Sequence, residues 1–320
     1  MEKENGNTGR YASIDVGSNT VRLLVARAEG GGFRELHSSQ IITRLAEKAH
    51  DTGLLSETAM ERTLAGLEGL VAGAGGLRPF RVCATATHAV RKAKNGGEFA
   101  ERFKKRLGFP INVIEWEKEA GLSLKGAEMV VGAGKPILLF DVGGGSTEFI
   151  HKGADGSVRA VGTELGVVRL AETFIKSAPL MEGEYKKLAE YLAVEMSATA
   201  GRLKAEKPFV LVGTAGTITS IAAMIYNVHP YDPERVNNKR LLRKVVLELL
   251  NDVGGMTLEQ RGRIPSLQNG REDLIIPGIG LTLAVMDAFG ADELTVCDSG
   301  LREGILLSAM DGTIPSELLQ

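Results

Sequence analysis

Two hydrophobic periods alternate along the chain. Residues 56–76 are written with the helical one: Met60, Leu64, Leu67 and Val71 fall on one face of "SETAMERTLAGLEGLVAGAGG", with a glycine stop at Gly75 or Gly76. "PFRVCATATHAV" then returns as a strand. Further on, Phe99, Phe103 and Leu107 recur every four residues within Arg91–Gly108, which predicts an amphipathic helix with a basic outer face. A solvated face is the more ordinary use of such a pattern than a track for a polyanion.

A second pattern occurs twice. "YASIDVGSNTVRLLVAR" runs from an apolar strand through Asp15-Val16-Gly17-Ser18-Asn19 into another strand, and "ILLFDVGGGSTEFI" does the same through Asp141-Val142-Gly143-Gly144-Gly145-Ser146-Thr147-Glu148. Each reads as strand, Asp-Val-Gly turn, strand, so the architecture is expected to be duplicated, with the turns facing a shared cleft. Three successive glycines cost backbone entropy and bury nothing. The gain that offsets this is exposed backbone N–H, which in a tight turn can converge on phosphate oxygens.

Two later segments extend the theme. "VLVGTAGTITSIAAM" predicts a strand, the small-residue turn Gly213-Thr214-Ala215-Gly216-Thr217 and a helix whose N-terminus can meet phosphate. "ADELTVCDSGLREGILLSAM" repeats strand, Asp298-Ser299-Gly300 turn and helix. One such turn alone is weak evidence, because most Asp-x-Gly triplets are ordinary turns, but four on one plan imply layered α/β domains.

Composition narrows the class. A length of 320 residues suits two domains of about 150 residues each, and 43% apolar content is that of a globular protein. The opening "MEKENGNTGR" is polar, lacks an apolar signal core and reads as a tail. The longest apolar stretch, Ile275–Phe289, contains Pro277 and falls short of the roughly 18 residues that a membrane span needs, so it is expected in the core. Cys83 and Cys297 sit in apolar settings without metal-ligand spacing, which points to a reducing, cytoplasmic compartment. A formal net charge of −2 excludes a globally basic nucleic-acid binder. His88 is flanked by no second ligand, and the other histidines form no metal pattern.

With "IDVGSNTVRLLVA", "ITRLAEKAHDTGLLS", "ATHAVRKAKNG", "EKEA", "FDVGGGSTEF", "ELGVVRL", "GTAGTIT", "YDPERV", "MTLEQR" and "DSGLREG" in this order, the chain resembles the exopolyphosphatase and guanosine pentaphosphate phosphohydrolase family over nearly its whole length. The resemblance implies an α/β fold of two actin-like (ribonuclease H-like) domains with a cleft between them, of the sugar kinase, Hsp70 and actin superfamily. The domains are expected at 1–134 and 135–320, in a short two-domain form whose last helix can pack back on the first domain. It further implies Mg²⁺, with Mn²⁺ as an alternative, and hydrolysis of a terminal phosphoanhydride. The substrate is then polyphosphate or guanosine pentaphosphate, without nucleic-acid polymer or membrane partners, and homodimers are common among such folds. The chain departs from the family pattern at Ala46-Glu47-Lys48, Glu115-Trp116, Gly121 and Asn237-Asn238.

Phosphoanhydride hydrolysis needs neutralised oxygens, a metal and a positioned water. Gly17, Ser18 and Asn19, then Gly143, Gly144, Gly145, Ser146 and Thr147, then Gly213, Thr214 and Gly216 are the expected phosphate donors, with Arg44 and Arg91 as charge clamps. Asp15, Asp141 and Glu148 are hard oxygen donors for Mg²⁺; turn capping is the ordinary use of the aspartates, and strand alternation leaves Glu148 open to solvent. Resemblance implies that Glu119 of "EKEA" is the catalytic base and that Thr87 and Arg91 line the phosphate site. Glu117 is the neighbouring alternative, and a charged helix start the plainer reading of the pair. A sugar-kinase-like or acetate-kinase-like phosphotransferase would need an acceptor pocket and an aspartate base, and an actin-like nucleotide switch would release no phosphate from polyphosphate.

Overall fold

The computed structural model describes residues 9–78, 80–314 and 319, so the polar opening segment 1–8 lies outside the described residues. The chain divides into two compact units, each built on one mixed sheet. The first holds the chain up to Gly126 together with the residues from Leu301 onward, and the second spans Ala127–Gly300.

In the first unit, β1 (Arg10–Val16), β2 (Thr20–Glu29), β3 (Gly32–Ile42), β4 (Arg81–Ala86) and β5 (Asn112–Val113) form a sheet of order β3-β2-β1-β4-β5. β1, β2 and β3 pair antiparallel, while β4 and β5 join in parallel. The helices are α1 (Ala49–Thr52), α2 (Glu57–Gly73), α3 (His88–Lys92), α4 (Gly96–Leu107) and α5 (Trp116–Val131). α2 starts where Ser56 accepts a hydrogen bond from the Ala59 amide, with Glu57 in the first turn. Met60, Leu64, Leu67 and Val71 are all buried against Ile14, Val16, Leu23 and Phe99. Truncating Leu64 to Ala would cost about 2–5 kcal/mol as a core cavity.

α4 buries Phe99 and Phe103. Its arginines are engaged: Arg102 bridges Glu57 and Glu98, and Arg106 bridges Glu61 and Glu68. The basic face is thus neutralised in part by the acidic edge of α2.

The second unit repeats the plan. β6 (Ile137–Val142), β7 (Thr147–Lys152), β8 (Val158–Thr163), β9 (Val210–Thr214), β10 (Arg240–Leu242) and β11 (Glu293–Val296) lie in the order β10-β11-β9-β6-β7-β8. β6, β7 and β8 are an antiparallel meander, β9 and β11 extend it in parallel, and β10 closes the edge antiparallel. Each sheet thus shows a three-stranded meander extended in parallel from its first strand, the ribonuclease H-like arrangement of actin-type folds.

Its helices are α6 (Val167–Phe174), α7 (Glu182–Leu203), α8 (Ala215–Ile225), α9 (Pro233–Val236), α10 (Arg243–Gly254), α11 (Leu258–Gly262) and α12 (Ile275–Ala288). α12, the apolar stretch, is almost wholly buried within the core of this unit. Among the described residues no helix is long and apolar enough to cross a membrane.

From Leu301 the chain returns to the first unit as α13 (Leu301–Met310). Leu301, Ile305, Leu306 and Ala309 share a core cluster with Tyr11, Leu24, Cys83, Ile114 and Leu122. The units divide between Gly126 and Ala127, inside α5, rather than at 134/135, and the last helix, which the sequence allowed to pack back on the first domain, belongs to the first unit. The cause is burial: α13 has an apolar face whose partners are on β1, β2 and α5. Burial also pushes the Cys83 thiol up to about 11, against the nearby Lys118 charge, so it behaves as a small core hydrophobe.

Candidate active site

In the first unit, Asp15, next to last in β1, is in register with Arg22 of β2 and Thr85 of β4. The turn closes with the Gly17 amide donating to the Thr20 carbonyl at 3.1 Å. A Cβ on Gly17 would lie 3.1 Å from that same carbonyl, which is why glycine begins the turn. The Ser18 carbonyl accepts from the Ala46 amide, and the Asn19 carbonyl accepts from the amides of Thr43 and Arg44, each at 2.9 Å. A trans peptide puts N–H opposite C=O, so the amides of Asn19 and Thr20 face away from the 43–46 segment. Asn19 Oδ1 is buried without a hydrogen-bond partner, the kind of atom that a bound ion or a flipped amide would satisfy.

Arg62 of α2, which no sequence pattern singled out, donates from Nε to the Thr43 carbonyl at 2.5 Å and from Nη2 to the Arg44 carbonyl at 3.2 Å. It braces the segment that braces the turn. Arg44 has a left-handed backbone at φ 49°.

Thr87 follows β4, and its amide donates to the Val16 carbonyl at 3.3 Å, beside the turn. One helical turn later, Arg91 donates from Nη1 to the Ile114 carbonyl at 2.6 Å and to Glu119 Oε2 at 3.0 Å. The pair is largely buried, with side chains 11% and 9% exposed. Glu117 is exposed, whereas Glu119 is buried. The two acids of "EKEA" are thus separated by environment: one solvated, the other held by a guanidinium. Arg91 has five donors, so this bridge does not exhaust it.

In the second unit, the Gly143 amide donates to the Ser146 carbonyl at 2.9 Å, and a Cβ there would lie 3.0 Å from it. The Gly143 and Gly144 carbonyls accept from the Val167 and Val168 amides at 3.1 and 2.9 Å, at the start of α6. By the same peptide geometry, the amides of Gly144 and Gly145 face away from α6. Gly166 makes the approach feasible: a Cβ on it would fall 2.2 Å from the Gly144 carbonyl oxygen. The Thr147 hydroxyl donates to the Leu165 carbonyl at 2.5 Å, so it ties the turn to that segment. Ser146 is buried in the same turn.

Asp141 stands directly opposite Glu148 across the β6–β7 ladder, so both carboxylates leave the same face of the sheet. Glu148 is 2% exposed, which replaces the solvent-facing alternative. Asp141 is also in register with Thr214, and Gly300 approaches both: its Cβ would lie 3.2 Å from Thr214 Oγ1 and 3.8 Å from Asp141 Oδ2. Among the described residues, no three His, Cys, Asp or Glu side chains gather as a metal group.

Two glycines of the third turn have packing reasons. A Cβ on Gly213 would lie 2.9 Å from Phe140 Cζ, and one on Gly216 would lie 2.2 Å from Arg271 Nη2. Arg271 is buried against the start of α8, a cation at a helix N-terminus that sequence reading missed. Ala215 between them has φ +70°, a conformation uncommon outside glycine.

The model of the Ppx/GppA phosphatase family matches residues 24–313. The chain belongs to this family. It is 30% identical to exopolyphosphatase 2 of Mycobacterium tuberculosis over 313 residues, covering 93% of this chain and 98% of that one. Among solved structures, a Ppx/GppA family member from Aquifex aeolicus is 35% identical with a TM-score of 0.79, covering 96% of this chain and 99% of that chain. An exopolyphosphatase from Cytophaga hutchinsonii is 26% identical with a TM-score of 0.85, covering 95% and 98%. Family membership makes this chain a phosphatase by descent, and hence a hydrolase.

Proposed function

We propose that the chain hydrolyses the terminal phosphoanhydride of inorganic polyphosphate and releases orthophosphate. The observation that carries this reading is the Gly143–Gly145 turn, whose carbonyls are drawn to α6 while the Gly144 and Gly145 amides face the opposite way. Two fixed donors without side chains are what an incoming phosphate oxygen requires, and they need no reorganisation when charge develops. The name carried by the Mycobacterium tuberculosis relative supports polyphosphate as substrate.

Glu119 is the proposed base: it takes a proton from the attacking water, or orients it, while Arg91 fixes the rotamer of the carboxylate through Oε2. Within the second unit, Ser146, Thr214 and Arg271 are the further polar groups proposed to meet phosphate oxygens; within the first, Ser18, Asn19, Arg44 and Thr87 are the proposed phosphate groups. Thr147, Gly213 and Gly216 shape the turns.

A divalent cation fits the residues present. Asp141 and Glu148, opposed across one ladder, offer the one or two carboxylates that Mg²⁺ typically takes while keeping waters and phosphate oxygens as its other ligands. Asp15, at the matching position of the first hairpin, is a further hard oxygen donor proposed for a cation or its water shell. When bound, the cation would neutralise charge on the phosphate oxygens.

The family description pairs two names, and guanosine pentaphosphate ends in the same kind of bond, so it is the second reading. Colorimetric phosphate release from short polyphosphate, long polyphosphate, guanosine pentaphosphate and ATP, each with Mg²⁺ or excess EDTA, separates the two. Release from polyphosphate with Mg²⁺ and none in EDTA is expected. Release confined to guanosine pentaphosphate would replace polyphosphate as substrate, and release confined to ATP would contradict both.

A further inference from the structure

The "DSGLREG" motif contains a glycine that phosphate chemistry does not account for. Gly304 lies in the middle of α13, where glycine weakens a helix relative to alanine. It is buried, and a Cβ built on it would fall 1.8 Å from the Leu122 carbonyl oxygen, 2.6 Å from its carbon and 3.1 Å from its Cα. These are backbone atoms of α5, so no rotamer change can relieve the overlap. Two helices therefore meet backbone to backbone at this point, in the manner that small residues allow, where a Cα–H faces a carbonyl.

Leu122 is one turn beyond Glu119 on the same helix. One turn further, Lys125 donates from Nζ to Ser308 Oγ at 3.0 Å, Asp311 Oδ2 at 2.6 Å and Thr313 Oγ1 at 3.0 Å, at the end of α13. Ile305, Leu306 and Ala309 lie in the same core cluster as Leu122 and Ile114. α5 is thus fixed to α13 at two successive turns, while at its start Arg91 joins Glu119 Oε2 to the Ile114 carbonyl. A carboxylate carried on a helix keeps its place only if the helix beneath it does not slide.

We infer that Gly304 is a positioning residue for Glu119: its missing side chain sets the depth at which α5 sits, and so sets where the carboxylate meets the attacking water. This rests on the reading of Glu119 as the base. Gly304→Ala forces α5 and α13 apart by on the order of 1 Å, a displacement that can cost about 10²-fold in rate when it moves a reacting group.

The test measures kcat and KM for phosphate release from polyphosphate in Gly304→Ala, Lys125→Met, Glu119→Gln and the Gly304→Ala/Glu119→Gln double variant, with unfolding midpoints for each. Gly121→Ala is the control, on α5 where a Cβ meets no atom within 4 Å. Gly304→Ala is expected to lose about 10²-fold in kcat with KM within threefold of the parent. Lys125→Met is expected to lose several-fold with the same split, Gly121→Ala to stay within twofold, and the double variant to be no slower than Glu119→Gln alone. A folded Gly304→Ala with parental kcat overturns the inference, as does a loss that adds in full to that of Glu119→Gln. Should Gly304→Ala fail to fold, Lys125→Met decides, and an unchanged kcat there overturns it. An active Glu119→Gln overturns the base assignment and this inference together, an outcome distinct from the other three.

Discussion

The two Asp-Val-Gly hairpins share a backbone and differ in charge. Both close with a glycine amide on a carbonyl three residues later, at 3.1 Å in the first and 2.9 Å in the second, and both have turn carbonyls drawn back by the segment after the third strand. Across the ladder from the aspartate, however, the first hairpin places Arg22 and the second places Glu148. An aspartate in register with an arginine has a cationic residue on the neighbouring strand, whereas two carboxylates on one face call for a cation from outside. The braces differ too: Arg62 supports the segment behind the first turn, and the start of α6, made accessible by Gly166, supports the second directly. One duplicated scaffold thus sets an acid opposite a base in the first hairpin and an acid opposite an acid in the second.

Breaking the second hairpin should have the largest effect. Asp141→Ala is expected to lower Mg²⁺-supported phosphate release by at least about 10³-fold, because the remaining carboxylate cannot balance a divalent ion beside phosphates. Steady-state rates with saturating Mg²⁺ check this, and parental rates would refute it. The comparison itself is sharpened by Glu148→Gln against Arg22→Met. The first should raise the Mg²⁺ concentration for half-maximal activity about tenfold or more, and the second should leave that midpoint within about twofold while altering KM. Equal midpoint shifts in a Mg²⁺ titration would show that the two hairpins do not differ as described.

Smaller effects come from the braces. Gly166→Ala drives a methyl into the Gly144 carbonyl and should raise KM for polyphosphate on the order of tenfold as the donors lose their aim. Arg62→Met, acting at one remove on the first turn, should raise it only about two- to threefold. Initial-rate kinetics at fixed Mg²⁺ rank the pair, and a reversed ranking would place the main phosphate contacts on the first hairpin.

Much of this was legible in sequence where the signal is local. Both hairpins announce themselves through an apolar strand, an aspartate and glycines at one spacing, and α2 through the four-residue recurrence from Met60 to Val71. Contacts between distant segments left no such trace. Arg271 against Gly216, Arg62 behind Arg44 and Gly304 against Leu122 join residues 18 to 182 positions apart, and nothing in a short window marks them. The glycines of "GTAGT" also have a packing reason that no short window shows, because Phe140 and Arg271 occupy the space their side chains would take. The basic stripe of α4 was visible, but the glutamates that engage it lie mostly on α2.

The division of labour rests on Glu119 as base and on the turns and arginines as binders, so the most direct measurement compares Glu119→Gln with Glu117→Gln for both kcat and polyphosphate Kd. The account predicts that Glu119→Gln loses about 10²- to 10⁴-fold in kcat with Kd nearly unchanged, while the exposed Glu117 tolerates the same change. An active Glu119→Gln, or a dead Glu117→Gln beside it, would contradict the account.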